Sequence, residues 1–330
     1  MSSYLRAGLA AFLCSITVCL TAPAARAASA ALWIADAGNL RIDEYLPVEL
    51  KSGHTPIPLT IKLGAFPWGV CFDTSHNLWV TDDNEEILEF KASDLKKLPQ
   101  NISPAVTITS TSTFSDIVGC TFDSHGNLWV VDLDNNSLDE ISAKQLKAGT
   151  GDITPAITIT DTAEMSSAHP AFLTFDQAGN LWTDGRDDDK LFKFSASQLK
   201  SGGNKTAAVV LGAGGSLSDP GQIGFDGHGN LWVTSYGTDT VVMFPKGHVK
   251  TSNDDPPAVT ISSSTLVGPW CLRFRGGHLW VLDYDDGNAQ EFLPSQIKSS
   301  GSPAPKILLT GAAAPDSWGM TFGPAFGVLE

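Results

Sequence analysis

A short motif, leucine followed by tryptophan, recurs six times along this 330-residue chain at nearly constant spacing. The copies begin at Leu32, Leu78, Leu128, Leu181, Leu231 and Leu279, which are 46, 50, 53, 50 and 48 residues apart. A period near 50 residues with several short strands is typical of a propeller blade. The repeats therefore predict an all-β fold, a six-bladed β-propeller with four-stranded antiparallel blades.

Each repeat contains the same four strands, which we call a to d in chain order. In the clearest copy, residues 223–234 contain strands a and b joined by a Gly-Asn turn, and residues 241–244 and 258–261 form strands c and d. Gly and Asn accept the positive φ of a tight hairpin. An insert between c and d recurs at residues 142–149, 195–202 and 294–301, and its sequence predicts one helical turn that Gly ends.

The first repeat lacks a strand that the C-terminal end of the chain can supply. The first repeat begins with strand b at residues 32–35, without a strand a of its own. The chain ends with residues 318–322, which match the strand-a pattern of residues 68–72. We therefore expect the C-terminal strand to complete the N-terminal blade, which removes two exposed sheet edges.

The N-terminus has the features of a secretory signal peptide. Arg6, an apolar stretch from Leu9 to Leu20 and the small-residue site at 25–27 predict that residues 1–27 are removed. Residues 28–330 are then a single propeller domain, secreted or periplasmic, and we expect a monomer. No later segment is apolar enough to span a membrane. The net charge of −15 argues against a nucleic-acid partner.

Three cysteines lie beyond the predicted leader: Cys71, Cys120 and Cys271. They are odd in number and stand in separate repeats, which is not the pattern of a disulfide framework. We expect packed thiols in the inner strands, and a single bridge remains the alternative.

The unit Phe-Asp-x-x-Gly-Asn-Leu-Trp-Val, seen at residues 225–233, resembles the NHL-repeat propellers and the related gluconolactonase and regucalcin-like family. The resemblance covers nearly the whole mature chain. It implies a six-bladed propeller, but this fold carries enzymes as well as binding modules.

In an antiparallel blade, the b–c turns and the d-to-a crossings lie on one face, and the a–b turns and c–d inserts lie on the other. The b–c turns are rich in Asp and the inserts are rich in Lys. We therefore expect an acidic channel mouth on the first face. The candidate metal ligands there, for a divalent cation such as Ca²⁺, are Asp116, His169, Asp219 and Asp316. The candidate ligand-stacking residues are Trp68, Trp270 and Trp318.

Two functions are compatible with this mouth. The favoured one is a binding module for a small molecule, a glycan or a protein. The alternative is a metal-dependent lactonase, hydrolase or lyase. The segment around Asp219 is similar to the one that carries a metal-binding Asp in the regucalcin-like lactonases, and His169 resembles the catalytic His of the streptogramin-lyase propellers. His169 is therefore the candidate catalytic residue.

Overall fold

The computed structural model describes residues 30–53, 56–98 and 100–326, which form six antiparallel sheets. The innermost strands of the sheets contact one another in cyclic order, and the sixth sheet meets the first. The predicted six-bladed β-propeller is therefore confirmed. The predicted leader, residues 1–27, lies outside the described residues.

Blades 1 to 3 follow one another along the N-terminal half of the chain. Blade 1 contains β1 (Ala31–Asp36), β2 (Arg41–Tyr45) and β3 (Leu59–Lys62). Blade 2 contains β4 (Pro67–Phe72), β5 (Leu78–Asp82), β6 (Ile87–Phe90) and β7 (Val106–Thr109). Blade 3 contains β8 (Ile117–Phe122), β9 (Leu128–Asp132), β10 (Ser137–Ile141) and, after the short β11 (Gly151–Asp152) of its insert, β12 (Ile157–Thr160).

Blades 4 to 6 repeat this arrangement. Blade 4 contains β13 (Leu173–Phe175), β14 (Leu181–Gly185), β15 (Lys190–Phe194) and, after β16 (Gly203–Asn204) of its insert, β17 (Val209–Leu211). Blade 5 contains β18 (Pro220–Phe225), β19 (Leu231–Ser235), β20 (Thr240–Phe244) and β21 (Val259–Ile261). Blade 6 contains β22 (Pro269–Arg275), β23 (His278–Asp283), β24 (Ala289–Phe292) and β25 (Ile307–Leu309), and β26 (Gly319–Gly323) follows.

The ring is closed by the C-terminal strand, as predicted. Strand β26 pairs antiparallel with β1, and its Met320 lies opposite Ile34. Both side chains are fully buried. Blade 1 therefore takes its innermost strand from the opposite end of the chain.

The repeated Leu-Trp and Phe-Asp motifs join neighbouring blades. The tryptophan of each strand b packs edge-to-face on the phenylalanine near the end of the next blade's strand a, with ring centroids 5.5–6.3 Å apart. The six pairs are Trp33–Phe72, Trp79–Phe122, Trp129–Phe175, Trp182–Phe225, Trp232–Phe274 and Trp280–Phe322. Edge-to-face geometry is a favoured arrangement of aromatic rings. The most regularly repeated residues of the sequence therefore pack neighbouring blades against each other.

The aspartate of the repeat closes the a–b hairpin. In blade 5, the Asp226 carboxylate accepts hydrogen bonds from the backbone N–H groups of His228 and Asn230, from the Asn230 amide and from the Trp232 indole. The side-chain oxygen Oδ1 of Asn230 then accepts a hydrogen bond from the backbone N–H of Lys246, at the start of the c–d insert. The a–b turn and the insert therefore share one face, as predicted.

The inserts contain more structure than the predicted single turn. Two α-helices, α1 (Ala92–Leu95) and α2 (Ala143–Ala148), lie in the inserts of blades 2 and 3, and Ser142 caps α2 as part of a capping box with Gln145. Single-turn 3-10 helices lie in the inserts of blades 4 and 5, at Gln198–Lys200 and His248–Lys250. Others lie in the b–c turns of blades 1 and 5, at Ala37–Asn39 and Tyr236–Thr238, and in the crossing into blade 5, at Ala213–Gly215. Strands β11 and β16 extend parallel to the outermost strand of the preceding blade, which links blades at the perimeter.

Cys71 and Cys120 form a disulfide between blades 2 and 3, with Cα atoms 6.1 Å apart. The expectation of three packed thiols is therefore wrong, and the alternative of one bridge is correct. Alternate residues of a strand point to opposite sides. Cys71 lies opposite Trp79, whereas Cys120 is one position off the equivalent site and lies opposite Val130, so each side chain points toward the other blade. Cys271 is free and buried.

The described residues contain no helix that is long and apolar enough to cross a membrane.

Candidate functional site

The d-to-a crossings lead into the innermost strands and surround the channel mouth. Four of the six crossings have a residue with left-handed φ at the same repeat position, namely His169, Asp219, Gly268 and Asp316, with φ from 43° to 67°. Asp and His adopt this conformation more readily than most residues. The backbone therefore accounts in part for the polar residues that the sequence places at these crossings.

Side chains of the b–c turns hold three of these crossings in place. Each of these side chains accepts a hydrogen bond of 2.8 Å from the backbone N–H of the next blade's crossing residue. The pairs are Asn136 with His169, Asp189 with Asp219, and Asp239 with Gly268. Some of the acidic residues of the b–c turns are therefore structural. The same hydrogen bonds place the b–c turns beside the crossings, as predicted.

His169 is paired with a carboxylate that the sequence analysis did not single out. Its Nδ1 atom lies 2.6 Å from Oδ2 of Asp187, a residue of the b–c turn of blade 4. The His169 side chain is 36% exposed, so that solvent or a ligand can reach the ring. A carboxylate in this position fixes the orientation and the tautomer of an imidazole.

Arg186 brings a positive charge to the mouth. Its Nε atom lies 3.4 Å from Oδ1 of Asp187 and 3.5 Å from Oδ1 of Asp219. The crossings themselves carry no cation in the described residues, but this b–c turn supplies one. Burial raises the pKa of Asp219, and Arg186 opposes that shift.

Asp116 and Asp316 lie in separate surroundings. Burial, together with Asp134 and Asp132, raises the pKa of Asp116 to about 6. Asp316 instead shares a hydrogen bond with the Tyr284 hydroxyl. Within the described ranges, no three His, Cys, Asp or Glu side chains come close enough together to hold a metal ion. The binding of a divalent cation therefore stays a prediction, which titration of the protein with metal ions would test.

The three predicted tryptophans, which come from blades 1, 2 and 6, lie together at the mouth. The ring centroid of Trp318 is 5.0 Å from that of Trp68 and 5.2 Å from that of Trp270. Two tyrosines extend the cluster: Tyr236 lies 5.8 Å from Trp270, and Tyr284 lies 5.7 Å from it. The result is a continuous aromatic floor across four blades.

A cavity of about 180 Å³ opens above this floor. Its lining residues are Arg186, Asp219, Tyr236, Trp270, Tyr284 and Trp318. The cavity therefore unites one predicted metal ligand with two of the predicted stacking tryptophans. Asp116, His169, Asp316 and Trp68 lie outside this lining.

Sequence reasoning missed three of the lining residues, although a signal for them was present. Arg186, Tyr236 and Tyr284 each stand four residues after the tryptophan of their strand b. The corresponding residues of blades 1, 2 and 3 are Ala37, Asp83 and Leu133. Comparison of this one repeat position across the six blades shows which sector of the mouth carries large side chains.

No family model matches the sequence, and no curated protein matches it. Solved structures share its fold at low identity. Virginiamycin B lyase from Staphylococcus aureus has 14% identity and a TM-score of 0.56, over 80% of this chain and 78% of that chain. A chain of the nidogen/laminin complex has 13% identity and a TM-score of 0.62, over 91% of this chain and 100% of that chain. A protein of unknown function from Bacteroides caccae has 9% identity and a TM-score of 0.61, over 90% of this chain and 100% of that chain.

Proposed function

We propose that this protein is a binding module of the NHL-like propeller type, and that its ligand binds at the channel mouth. The observation that carries the proposal is the cavity of about 180 Å³ between Arg186 and Asp219 on one side and the aromatic floor on the other. Concave sites with aromatic walls and a few polar groups are the usual form of small-molecule sites. The partner is a small molecule, a glycan or a protein.

The rim of the mouth offers further contact area. Phe66 is 44% exposed and stacks on Trp68, with ring centroids 6.1 Å apart and planes 14° apart. Val267, at the crossing into blade 6, is 39% exposed. Exposed apolar side chains beside a cavity favour a ligand that extends beyond it. The nidogen/laminin complex is a case in which a propeller of similar fold belongs to a protein complex.

We place this function outside the cytoplasm, in the periplasm or the medium. The leader-like residues 1–27 support export. The Cys71–Cys120 disulfide is compatible with it, because such bonds persist in oxidising compartments.

A thermal-shift screen with sugars, lactones, amines and peptides tests the proposal. Each hit is repeated with Trp318→Leu, which opens the aromatic floor, and with Asp134→Asn as a control on the same acidic face. We expect the hits to be lost in Trp318→Leu and kept in the control. Hits that survive Trp318→Leu unchanged would place the binding site elsewhere and refute the proposal.

A second candidate, an enzyme, is favoured by one observation: the 2.6 Å pair of His169 and Asp187 beside the cavity. A carboxylate-oriented histidine is suited to general acid–base chemistry. A histidine-to-alanine variant of virginiamycin B lyase is catalytically inactive. The test is turnover of lactones and cyclic depsipeptides, with and without divalent cations. Activity that His169→Ala abolishes would support a lyase or lactonase, and activity unchanged by that substitution would exclude His169 from the chemistry.

A further inference from the structure

Three of the side chains that line the mouth cavity, Tyr236, Tyr284 and Asp219, offer hydrogen-bond acceptors. The Tyr236 hydroxyl donates to Oδ1 of Asp285 over 3.0 Å, and the Tyr284 hydroxyl shares a hydrogen bond with Asp316. A hydroxyl has one proton to give, so each tyrosine has lone pairs left for a ligand. The hydrogen bond to Asp285 raises the pKa of Tyr236, and burial together with Asp316 raises the pKa of Tyr284, so both hydroxyls stay protonated at neutral pH.

Asp219 offers a further acceptor. Its Oδ1 atom is buried and makes no hydrogen bond within the part of the chain that the structure describes. The Nε atom of Arg186 lies 3.5 Å away, which is an ion-pair distance. A buried carboxylate oxygen is stabilised by an N–H donor.

The aromatic rings of the floor are steeply inclined to one another. The Trp270 plane makes an angle of 82° with Trp318 and 85° with Tyr236, and Tyr284 makes 81° with Trp318. Trp318, Tyr236 and Tyr284 are partly exposed at the cavity, whereas Trp270 is 3% exposed. The face of an aromatic ring is its negative part, and it attracts a cation.

Negative charge exceeds positive charge around this cavity. The charged side chains nearby are Arg186, Asp187, Asp189, Asp219, Asp239, Asp285 and Asp316. The single guanidinium is already shared between Asp187 and Asp219. An anionic ligand would be repelled here, whereas a cationic ligand would be attracted.

We propose that the mouth cavity binds the ammonium head of an organic cation. The N–H or N–CH₃ groups of this head face Asp219 and the two tyrosine oxygens, and its charge lies over Trp270 and Trp318. The volume of about 180 Å³ corresponds to about six waters at ~30 Å³ each, which accommodates a methylated ammonium group. This inference rests on the proposed binding function and specifies its ligand.

Calorimetric titration of the full, disulfide-bonded protein with choline tests the inference. The matched ligand is dimethylbutanol, in which a carbon atom replaces the ammonium nitrogen and the shape is kept. We expect choline to bind at least about tenfold more tightly, since only choline gains the attraction of the ring faces and the carboxylate. Equal binding of the two compounds, or binding of neither, would overturn the ammonium proposal. A sugar that binds in their place and depends on Trp318 would leave the proposed function intact.

The variant Asp219→Asn removes one negative charge and keeps a side chain that tolerates left-handed φ. We expect it to weaken choline binding about tenfold, while Asp134→Asn changes it less than about twofold. Unchanged affinity in Asp219→Asn would contradict the assignment. A free ammonium compound and a lysine side chain share this chemistry. The test compound is Nα-acetyl-lysine N-methylamide, whose side chain keeps its ammonium group. If it binds more tightly than choline, the partner is a protein, and if it binds more weakly, the ligand is a free compound.

Discussion

The indole rings of Trp270 and Trp318 meet edge-to-face, with centroids 5.2 Å apart and planes at 82°. Trp270 lies in β22 of blade 6, and Trp318 directly precedes β26, the strand that completes blade 1. The aromatic floor therefore exists only when the ring is closed. Closure of the propeller and formation of the candidate site are the same structural event.

Removal of the closing strand tests this dependence. Deletion of residues 319–330 exposes the edge of β1 and removes the buried Met320, which contributes about 1.5–3 kcal/mol by burial alone. We expect a much lower melting temperature or aggregation. Deletion of residues 327–330 is the control, because it keeps every residue of β26. Normal stability of the longer deletion would contradict ring closure by this strand.

The disulfide gives a second prediction. Cys71 and Cys120 are 49 residues apart, and a bridge that closes a loop of this size stabilises a protein by about 2–4 kcal/mol. Reduction should therefore lower the melting temperature of the wild type. The same drop should occur in Cys271→Ala and should be absent in the double variant Cys71→Ser with Cys120→Ser. A wild-type melting temperature that reductant does not change would show that the bridge is not formed.

The a–b hairpins give a third prediction, on acid stability. Burial alone would raise the pKa of Asp226, but hydrogen bonds from Asn230, Trp232 and His228 lower it below its usual value of 3.8. A carboxylate of this kind stabilises the fold above the unfolded-state pKa, and its contribution is lost as the pH falls through the folded-state pKa. Asp226→Ala should cost about 1–3 kcal/mol at pH 7 and less at pH 2. An equal cost at both pH values in denaturant titrations would refute this role.

Asp283 gives a fourth prediction, in which stability changes with pH in the opposite direction. It is fully buried in blade 6, and burial together with Asp286 raises its pKa from 3.8 to about 8. The folded state therefore holds a proton that the unfolded state releases near pH 4, so stability falls as the pH rises from about 4 to about 8. Burial raises the pKa of Asp43 and Asp184 to about 7, which adds to the same slope.

Melting temperatures between pH 4 and pH 9 measure this slope. The variant Asp283→Asn has no proton to lose and should show a shallower decline than the wild type, whereas the variant Asp255→Asn, at an exposed position, should follow the wild type. A slope unchanged by Asp283→Asn would show that Asp283 does not titrate in this range.

The architecture could be predicted from the sequence because its determinants repeat. The tryptophan of each strand b packs on the phenylalanine of the next blade's strand a in every blade, so six copies reinforce one interpretation. The site is built from positions that differ between blades. Tyr284 and Arg186 occupy one repeat position with different side chains, and their proximity to Asp219 depends on how the blades are arranged around the channel. The sequence favoured packed thiols over a bridge for a similar reason, since Cys71 and Cys120 stand at unequal positions of their strands.

Fluorine NMR of protein labelled with fluorotryptophan tests the central claim, ligand binding at the mouth, most directly. Of the nine tryptophans, six lie in strand b of the blades, and Trp68, Trp270 and Trp318 lie at the mouth. Single Trp→Phe variants assign the resonances. We predict that a ligand from the screen, choline included, shifts the three mouth resonances and leaves the six blade resonances unchanged. Shifts confined to the blade tryptophans, or none at ligand saturation, would contradict binding at the mouth.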